Sequence, residues 1–340
     1  MKTMIFVSVI VPVYNVSRYI ERCLYSVLNQ TYAGPIECLV VDDRGQDDSM
    51  EKVRRIVDAY SGPVRLKVLS HERNMGLSEA RNTALRAATG DYVFFLDSDD
   101  ELSIYALQLM TEKIDKCPGV DMVVGGFYLP SCYDFAIRYD KSDVITGLEN
   151  CKRALLKPEL LPDFAPNKLI RRDVIVDNAL FFESGLLHED NLWKWDLSKH
   201  IRSIALVKDG TYIYFKNPGS ILTGKNLKKY EDRLIIGQKK ISSLDSLCEN
   251  EQIRHIIDFL LNLDSDIRYA YKGEELNHRM SRLHDMVKHL HKRAVLTGDL
   301  RSWVSLTLFR MELKSRLSVG CRLFWYIHRA SKMFAVWPKP

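Results

Sequence analysis

The first 125 residues alternate two kinds of segment. Short apolar runs rich in Val, Ile and Phe are typical of buried strands, and the stretches between them, in which apolar residues recur every three or four positions, are typical of amphipathic helices. Strands joined by crossover helices build a mostly parallel sheet with helices on both faces. The sequence therefore predicts a doubly wound α/β fold. We expect its strands at 7–13, 37–41, 65–69, 92–96 and 122–125.

Two further regions follow this alternating core at 1–125. From 126 to 224, prolines interrupt short elements, which indicates loops that fold back over the sheet. From 225 to 340, almost the whole chain has the apolar spacing of helices. We therefore predict an extension of the α/β domain at 126–224 and a helical region at 225–340.

Composition favours a reducing compartment and argues against a membrane span. The seven cysteines include no C-x-x-C pair, and an odd number of cysteines cannot all pair within one chain. The apolar stretch at 5–13 has no small-residue cleavage site after it, so we interpret it as a strand and not as a signal peptide. No window contains the roughly 18 uninterrupted apolar residues that a membrane span requires. We expect a cytoplasmic protein, whose only membrane contact would be at the inner face of the cytoplasmic membrane.

Polar and acidic side chains follow three of the predicted strands, and ligands of doubly wound sheets bind outside the carboxyl ends of the strands. Carboxylates in Asp-x-Asp spacing suit Mg²⁺ or Mn²⁺, which prefer oxygen ligands and keep positions open for phosphate oxygens. A second interpretation, that the acidic run from Asp97 to Glu101 caps a helix beginning near Ser103, stays open. The strand-end residues are Pro12, Val13, Tyr14, Asp42, Asp43, Asp97, Ser98, Asp99 and Asp100.

Four sequence strings occur in an order and spacing that resemble the family 2 glycosyltransferases, which have the GT-A fold. They are SVIVPVYN at 8–15, VDD at 41–43, NMGLSEARN at 74–82 and GDYVFFLDSDD at 90–100. Weaker matches follow in NKL at 167–169 and ESGLLHED at 183–190. The resemblance implies a core at 1–125 that binds a nucleotide sugar and an acceptor-binding part at 126–224. It also implies transfer of a hexose or N-acetylhexosamine to a hydroxyl group with inversion at the anomeric carbon.

On the donor side, the resemblance implies that the end of the first strand frames the nucleotide base. Asp43 would accept a hydrogen bond from the imide N–H of uracil, so a UDP-sugar is the expected donor. Arg81 would reach the donor nucleotide through a charge-assisted hydrogen bond. The family usually continues Asp-Asp-Gly-Ser where this chain has Arg44 and Gly45 after its aspartate pair. The implied nucleotide-binding residues are Pro12, Val13, Tyr14, Asp42, Asp43, Arg81, Asp97 and Ser98.

The resemblance also implies a metal site and a catalytic base. Asp99 would be the direct ligand of Mg²⁺ or Mn²⁺, with Asp97 directed toward the ribose or a metal-bound water. Inverting transfer needs a base that takes the proton of the acceptor hydroxyl. The family has an acidic base in the region of Glu189 and Asp190, and we predict Asp190, with Glu189 as the alternative or as a partner of a backbone N–H at a helix start. That both residues only cap a helix stays open.

Residues 301–340 hold eight basic side chains against one acidic side chain, interleaved with seven aromatic residues. This composition suits a helix in a membrane interface, which would bring the enzyme to a lipid-linked acceptor. Packing of the aromatic side chains on the core, with a basic face in solvent, is an equally open interpretation. The aromatic residues are Trp303, Phe309, Phe324, Trp325, Tyr326, Phe334 and Trp337.

Two other functions compete with a glycosyltransferase. A basic, aromatic tail also suits a nucleic-acid binder, but residues 1–224 carry a net charge of −4, whereas residues 225–340 carry +9. A nucleotidyltransferase needs a Gly-rich triphosphate loop after the first strand, and residues 15–19 contain no glycine. We therefore expect a nucleotide-sugar donor and a glycan or lipid-linked acceptor of surface polysaccharide biosynthesis as partners, and no nucleic acid.

Overall fold

The computed structural model describes residues 4–129, 144–217 and 226–315. Within these ranges, strands and helices are interspersed up to residue 213, and only helices follow. The strands are β1 (Val7–Val13), β2 (Ile36–Asp42), β3 (Arg65–Ser70), β4 (Tyr92–Phe95), β5 (Glu101–Leu102), β6 (Met122–Tyr128), β7 (Val144–Thr146), β8 (Lys168–Arg171) and β9 (Ser203–Ile213). The helices are α1 (Ile20–Leu28), α2 (Ser49–Ala59), α3 (Leu77–Ala87), α4 (Ala106–Lys116), α5 (Leu148–Leu155), α6 (Arg172–Asp177), α7 (Glu189–Leu197), α8 (Lys228–Ser242), α9 (Glu249–Ala270), α10 (Gly273–Leu296) and α11 (Leu300–Ser315).

The described strands form a sheet with the order β3-β2-β1-β4-β8-β6-β9-β5, and β7 pairs with β9. β1 pairs in parallel with both β2 and β4, and β2 pairs in parallel with β3. β8 lies antiparallel between β4 and β6, so β6 and its parallel partner β9 run in the direction of β1. Six of the strands therefore share one direction, which confirms the predicted α/β fold with a mostly parallel sheet.

The five strands predicted in the first 125 residues are confirmed, with ends that differ by at most three residues. β1 and β2 are buried along their whole length, as expected for apolar strands that helices cover on both faces. β3 lies at the edge of the sheet and exposes Arg65 and Lys67. Charged side chains at an edge discourage pairing with another chain.

The register brings the strand ends that carry the motifs together on one side of the sheet, the edge formed by the carboxyl ends of the parallel strands. Val13, at the end of β1, pairs with Asp42 at the end of β2. β4 pairs with β1 through Phe95 and Ile10, so Asp97 follows β4 at the same edge. The parallel arrangement thus gathers side chains that are far apart in the sequence, at the place where such sheets bind ligands.

The chain divides into two compact units, residues 1–226 and 227–340. The first unit contains the sheet and every residue of the predicted site. In the second unit, the described residues form α8 to α11, with an apolar core that includes Ile253, Leu260 and Leu283. No helix in the described ranges is long and apolar enough to cross a membrane. The functional roles predicted for the three segments of the sequence stay predictions.

Candidate active site

The end of β1 presents an exposed aromatic ring at the ligand edge of the sheet. Pro12 and Val13 are buried, whereas Tyr14 is 41% exposed. The next residue, Asn15, has a φ of 52°, and its Oδ1 accepts a hydrogen bond of 2.7 Å from the backbone N–H of Gln46. The turn after β1 is therefore fastened to the loop after β2, with the ring of Tyr14 accessible beside it.

Asp43 is buried and surrounded by hydrogen-bond donors. Its Oδ1 accepts from the backbone N–H of Met75 at 2.7 Å and lies 2.7 Å from Nδ1 of His71. Its Oδ2 accepts from the backbone N–H of Gly76 at 2.9 Å, and Gly76 has a φ of 87°, in the region that favours glycine. The loop after β3 is folded around this carboxylate, so the side chain predicted to contact the base is held in one orientation.

The departure from the family pattern at residue 44 has a structural counterpart. Arg44 has a φ of 58°, a conformation that costs most residues about 1–2 kcal/mol and that glycine adopts freely. Its Nε donates to the carbonyl oxygen of His71 at 2.5 Å, and its backbone N–H donates to Oδ1 of Asp42 at 2.9 Å. The backbone here has a shape suited to the family's glycine, and the arginine side chain ties it to the loop after β3.

Arg81 is buried on α3 and links two parts of the site. Its Nη2 donates to Oδ1 of Asp97 at 2.9 Å, whereas its Nη1 donates to Oε1 of Glu189 at 2.8 Å and to Oδ1 of Asp190 at 2.6 Å. Burial lowers the pKa of the guanidinium, but the three carboxylates outweigh burial and raise the pKa above its ordinary value. The structure thus places Arg81 among carboxylates, and its contact with the donor nucleotide stays a prediction.

The acidic run after β4 is held by β9 and by the residues that follow β9. Oδ2 of Asp99 accepts a hydrogen bond of 2.9 Å from Nδ2 of Asn217. The carboxylate of Asp100 accepts from the hydroxyl of Tyr212 at 2.7 Å and from the backbone N–H of Phe215 at 2.8 Å. The carboxylates are therefore oriented by a segment more than 100 residues away in the sequence.

The interpretation of the acidic run as a helix cap is wrong. The run ends inside β5, which begins at Glu101, and α4 begins only at Ala106, with no side-chain hydrogen bond at its N-cap. Ser98 and Asp100 are buried, and Asp100 accepts hydrogen bonds from Tyr212 and Phe215, neither of which lies at the start of a helix. The run is thus part of the site's interior.

Negative charge accumulates in this run. Burial and the neighbouring Asp97 raise the pKa of Asp100 to about 8, and burial raises the pKa of Asp99 despite the hydrogen bond from Asn217. A divalent cation would offset this charge, and carboxylate oxygens are its preferred ligands. The described residues hold no group of three or more His, Cys, Asp or Glu side chains arranged for a metal. The carboxylate oxygens of Asp97 and Asp99 have the chemistry that a hard divalent cation prefers, and their binding of a metal stays a prediction.

Glu189 and Asp190 lie in the first turn of α7, directly after His188, which has a φ of 62°. Burial and the neighbouring Asp190 raise the pKa of Glu189 to about 7, although Arg81 lowers it. Burial also raises the pKa of Asp190, against the opposing effect of Arg81. The carboxylate of Glu189 accepts from its own backbone N–H, but both side chains also bind Arg81, so they do more than cap the helix.

Sequence reasoning missed several residues that support these carboxylates. Asp190 also accepts a hydrogen bond from the backbone N–H of Ala165. Lys168 is buried nearby, and burial lowers the pKa of its ammonium group to about 7. The NKL string pointed to this segment without assigning it a role. Asn217 and Tyr212 carry no comparable signal, because no local pattern relates them to the run after β4.

The chain is similar to known proteins in sequence and in fold. The sequence model of glycosyl transferase family 2 matches residues 8–177. The uncharacterized glycosyltransferase EpsJ of Bacillus subtilis is 33% identical over 228 residues, which are 63% of this chain and 62% of EpsJ, so the chain spans less than two thirds of that relative. The putative glycosyltransferase EpsH of the same organism is 30% identical over 269 residues, which are 77% of this chain and 75% of EpsH.

Among solved structures, the fold is similar to that of Staphylococcus aureus TarS residues 1–349 in complex with UDP-GlcNAc. The TM-score is 0.67, and the similarity covers 91% of each chain at 22% identity, so it concerns the fold alone. The family model, by contrast, covers half of the sequence. The sequence match and the sheet described above lead to one conclusion: the chain belongs to glycosyl transferase family 2 and is a glycosyltransferase with the GT-A fold.

Proposed function

We propose that this enzyme transfers a hexose or N-acetylhexosamine from a UDP-sugar to a hydroxyl group of a glycan or lipid-linked acceptor, with inversion at the anomeric carbon. The observation that carries the proposal is the bridge that Arg81 makes from Asp97 to Glu189 and Asp190. Single displacement needs a group that assists the leaving diphosphate and a base that approaches from the opposite side. One buried side chain fixes the spacing of the carboxylates proposed for these two tasks.

Uracil recognition is supported by the surroundings of Asp43. An ionised carboxylate only accepts hydrogen bonds, and each of its oxygens can accept more than one. Oδ2 of Asp43 accepts from Gly76, which leaves capacity for the imide N–H of uracil, and Tyr14 is exposed at the same edge. The relative TarS is named a poly(ribitol-phosphate) beta-N-acetylglucosaminyltransferase and was crystallised with UDP-GlcNAc. UDP-GlcNAc is therefore the first donor to test.

Asp190 is the proposed base, and Arg81 is a positioning residue for it. The side chain of Asp190 is 20% exposed and that of Glu189 is 7% exposed, so an acceptor hydroxyl reaches Asp190 more readily. Burial raises the pKa of Asp190, which makes its ionised form a stronger proton acceptor. Arg81 and the N–H of Ala165 hold the carboxylate so that it receives the acceptor proton as the new bond forms.

Asp99 and Asp97 are the proposed ligands of Mg²⁺ or Mn²⁺. Asn217 binds one oxygen of Asp99 and Arg81 binds one oxygen of Asp97, so each carboxylate is oriented and retains a second oxygen. A bound divalent cation supplies positive charge to the departing diphosphate. Ser98 and Asp42, which are both buried, are further proposed nucleotide-binding residues.

Contact with a membrane surface is a separate part of the proposal, and it is supported by the turn between α10 and α11. Leu296 and Leu300 are 79% and 70% exposed, and Trp303 is 38% exposed. Phe309 is buried, which fits the packing interpretation for that residue, and the other five aromatic residues of 301–340 lie outside the described residues. Sedimentation with anionic vesicles tests this contact in the wild type and in a Leu296→Ser, Leu300→Ser double variant. We expect less of the double variant to sediment with the vesicles, and equal sedimentation of the two proteins would refute the contact.

Calorimetry with nucleotides tests the donor site. We expect UDP to bind in the presence of Mn²⁺, with GDP, CMP and dTDP weaker, and we expect Asp99→Ala to lose the Mn²⁺ dependence. Asp58→Ala, an exposed carboxylate on α2, is the control and should bind UDP like the wild type. Absence of binding for every nucleotide, with and without Mn²⁺, would refute the proposed donor.

A further inference from the structure

An exposed aromatic residue directly precedes a residue that contacts the proposed base. Phe164 is 41% exposed, in the loop between α5 and β8. The following residue, Ala165, donates its backbone N–H to the carboxylate of Asp190. The ring is therefore one residue away from a group that holds the base, on the segment whose prolines predicted a loop folding over the sheet.

This loop is tied to the helix that carries the base. Asp163 forms an ion pair of 2.6 Å with Lys194 and accepts a hydrogen bond of 2.8 Å from Nδ2 of Asn191. Lys194 also donates to the carbonyl oxygen of Leu161 at 2.5 Å. Lys194 and Asn191 both belong to α7, whose first turn contains Asp190. The position of the loop relative to the base is thus set by several polar contacts.

The ring of Phe164 is also held in place. It packs edge to face on Phe127, with centroids 4.9 Å apart and an interplanar angle of 82°, and Nζ of Lys168 lies 5.4 Å from its centroid. Single exposed apolar residues are common and need no explanation by themselves. An exposed ring that is fixed by two neighbours, and whose next residue in the chain contacts the proposed base, is a more specific arrangement, because ligand sites combine aromatic walls with a few placed polar groups.

We infer that Phe164 is the platform on which the sugar ring of the acceptor stacks, so that the acceptor's reacting hydroxyl lies at Asp190. This inference rests on the proposed function and narrows the acceptor to a hexopyranose. One face of a β-configured glucose or galactose ring carries several axial C–H groups and is apolar, which suits the face of an aromatic ring. An open-chain polyol has no such face, so it gains little from the platform.

Saturation-transfer NMR on the full chain with UDP and Mn²⁺ tests this platform. The probes are methyl β-glucoside, methyl β-galactoside, methyl β-N-acetylglucosaminide and ribitol. We expect at least one glycoside to bind the wild type, with the strongest saturation on its axial C–H protons, and ribitol to give no comparable signal. Phe164→Ala and Phe164→Leu should weaken glycoside binding by about two- to tenfold, and Phe164→Tyr should retain it.

Calorimetry with UDP on the same samples distinguishes a failure of the platform from a failure of the proposed function. Wild type that binds UDP but none of the glycosides overturns the platform and leaves the proposed function standing. The platform is equally overturned if Phe164→Ala or Phe164→Leu binds the glycoside as well as the wild type, or if ribitol binds as well as the glycosides. Wild type that binds no UDP overturns both the function and the platform. UDP binding by each variant establishes that the variant is folded.

Discussion

Nη1 of Arg81 lies 2.6 Å from Oδ1 of Asp190, across 109 residues of sequence. The same guanidinium binds Asp97 and Glu189. Because a planar guanidinium donates in fixed directions, Asp190 cannot shift relative to Asp97 without losing one of these hydrogen bonds. The side chain of Arg81 therefore sets the distance between the proposed base and the donor side of the site.

Replacing Arg81 by Met should strongly destabilise the fold, because three carboxylates lose their shared cation. Removing one partner of a buried ion pair costs about 3–5 kcal/mol in the free energy of unfolding, which urea denaturation measures. The control is Arg86→Met on the same helix, where the arginine is exposed and pairs with Glu79 at 3.6 Å. That variant should lose less than about 1 kcal/mol, and equal losses in the two variants would contradict the buried bridge.

Arg81→Lys separates the stabilising role of the charge from its geometry. A lysine keeps the positive charge but cannot donate to carboxylates on two sides from fixed positions. We expect this variant to unfold at a lower urea concentration than the wild type and at a higher one than Arg81→Met, yet to turn over UDP-sugar at least about tenfold more slowly than the wild type. Turnover like that of the wild type would show that the spacing of Asp97 and Asp190 does not depend on the guanidinium.

Asp190→Asn should lower kcat by about 10²–10⁴-fold while UDP binding is retained, because the amide has nearly the same shape but cannot accept the acceptor proton. The comparison variant is Glu189→Gln, because Glu189 is the neighbouring and more deeply buried carboxylate. This variant should lose less activity than Asp190→Asn. Steady-state kinetics with the identified donor and acceptor measure both. The reverse order of losses would assign the base to Glu189.

The sheet and its strand-end carboxylates were predictable because both follow from local pattern. β1 and β2 are continuous apolar runs, and Asp43 and Asp97 come directly after strands. The partners of these carboxylates were not predictable in the same way. Asn217 reaches Asp99 across 118 residues and His71 reaches Asp43 across 28 residues, and no periodicity connects the members of either pair. The sequence therefore indicated which carboxylates matter, whereas the fold determines what holds them.

The stability of the protein should depend on pH through Glu189, whose pKa is raised from 4.5 to about 7 by burial and by Asp190. A carboxyl with a raised pKa binds its proton more tightly in the folded state, so its favourable contribution is complete below the ordinary pKa and is lost as pH rises through about 7. In buffer without divalent cations, the unfolding free energy of the wild type should fall between pH 5 and pH 8, relative to Glu189→Gln, by on the order of 1–3 kcal/mol.

Glu51→Gln is the control for this pH dependence, because Glu51 is exposed on α2. Its unfolding free energy should follow that of the wild type at every pH. Parallel curves for the wild type and Glu189→Gln would mean that Glu189 remains ionised across this range, held by Arg81.

Asp43→Asn should remove UDP binding and also weaken the fold, because an amide cannot accept from all the donors that surround Asp43. The backbone N–H groups of Met75 and Gly76 each donate to one of its two oxygens, so an NH₂ group must face one of them, at a cost of about 1–3 kcal/mol. Asp121→Asn is the control, because Asp121 is also buried and both of its oxygens face donors. Its Oδ2 accepts from the backbone N–H groups of residues 202 and 203, and its Oδ1 lies 3.1 Å from Nη2 of Arg171, so an amide NH₂ group must also face a donor here.

Asp43 and Asp121 lie at opposite ends of the parallel strands, so only Asp43 is near the proposed nucleotide site. Asp43 follows the carboxyl end of β2, whereas Asp121 precedes β6 at the opposite edge. We expect similar losses of unfolding free energy in urea for both variants, and loss of UDP binding in calorimetry for Asp43→Asn alone. If Asp121→Asn also loses UDP binding, the effect of Asp43→Asn reflects general destabilisation; if neither does, Asp43 shapes the loop after β3 without contacting the base.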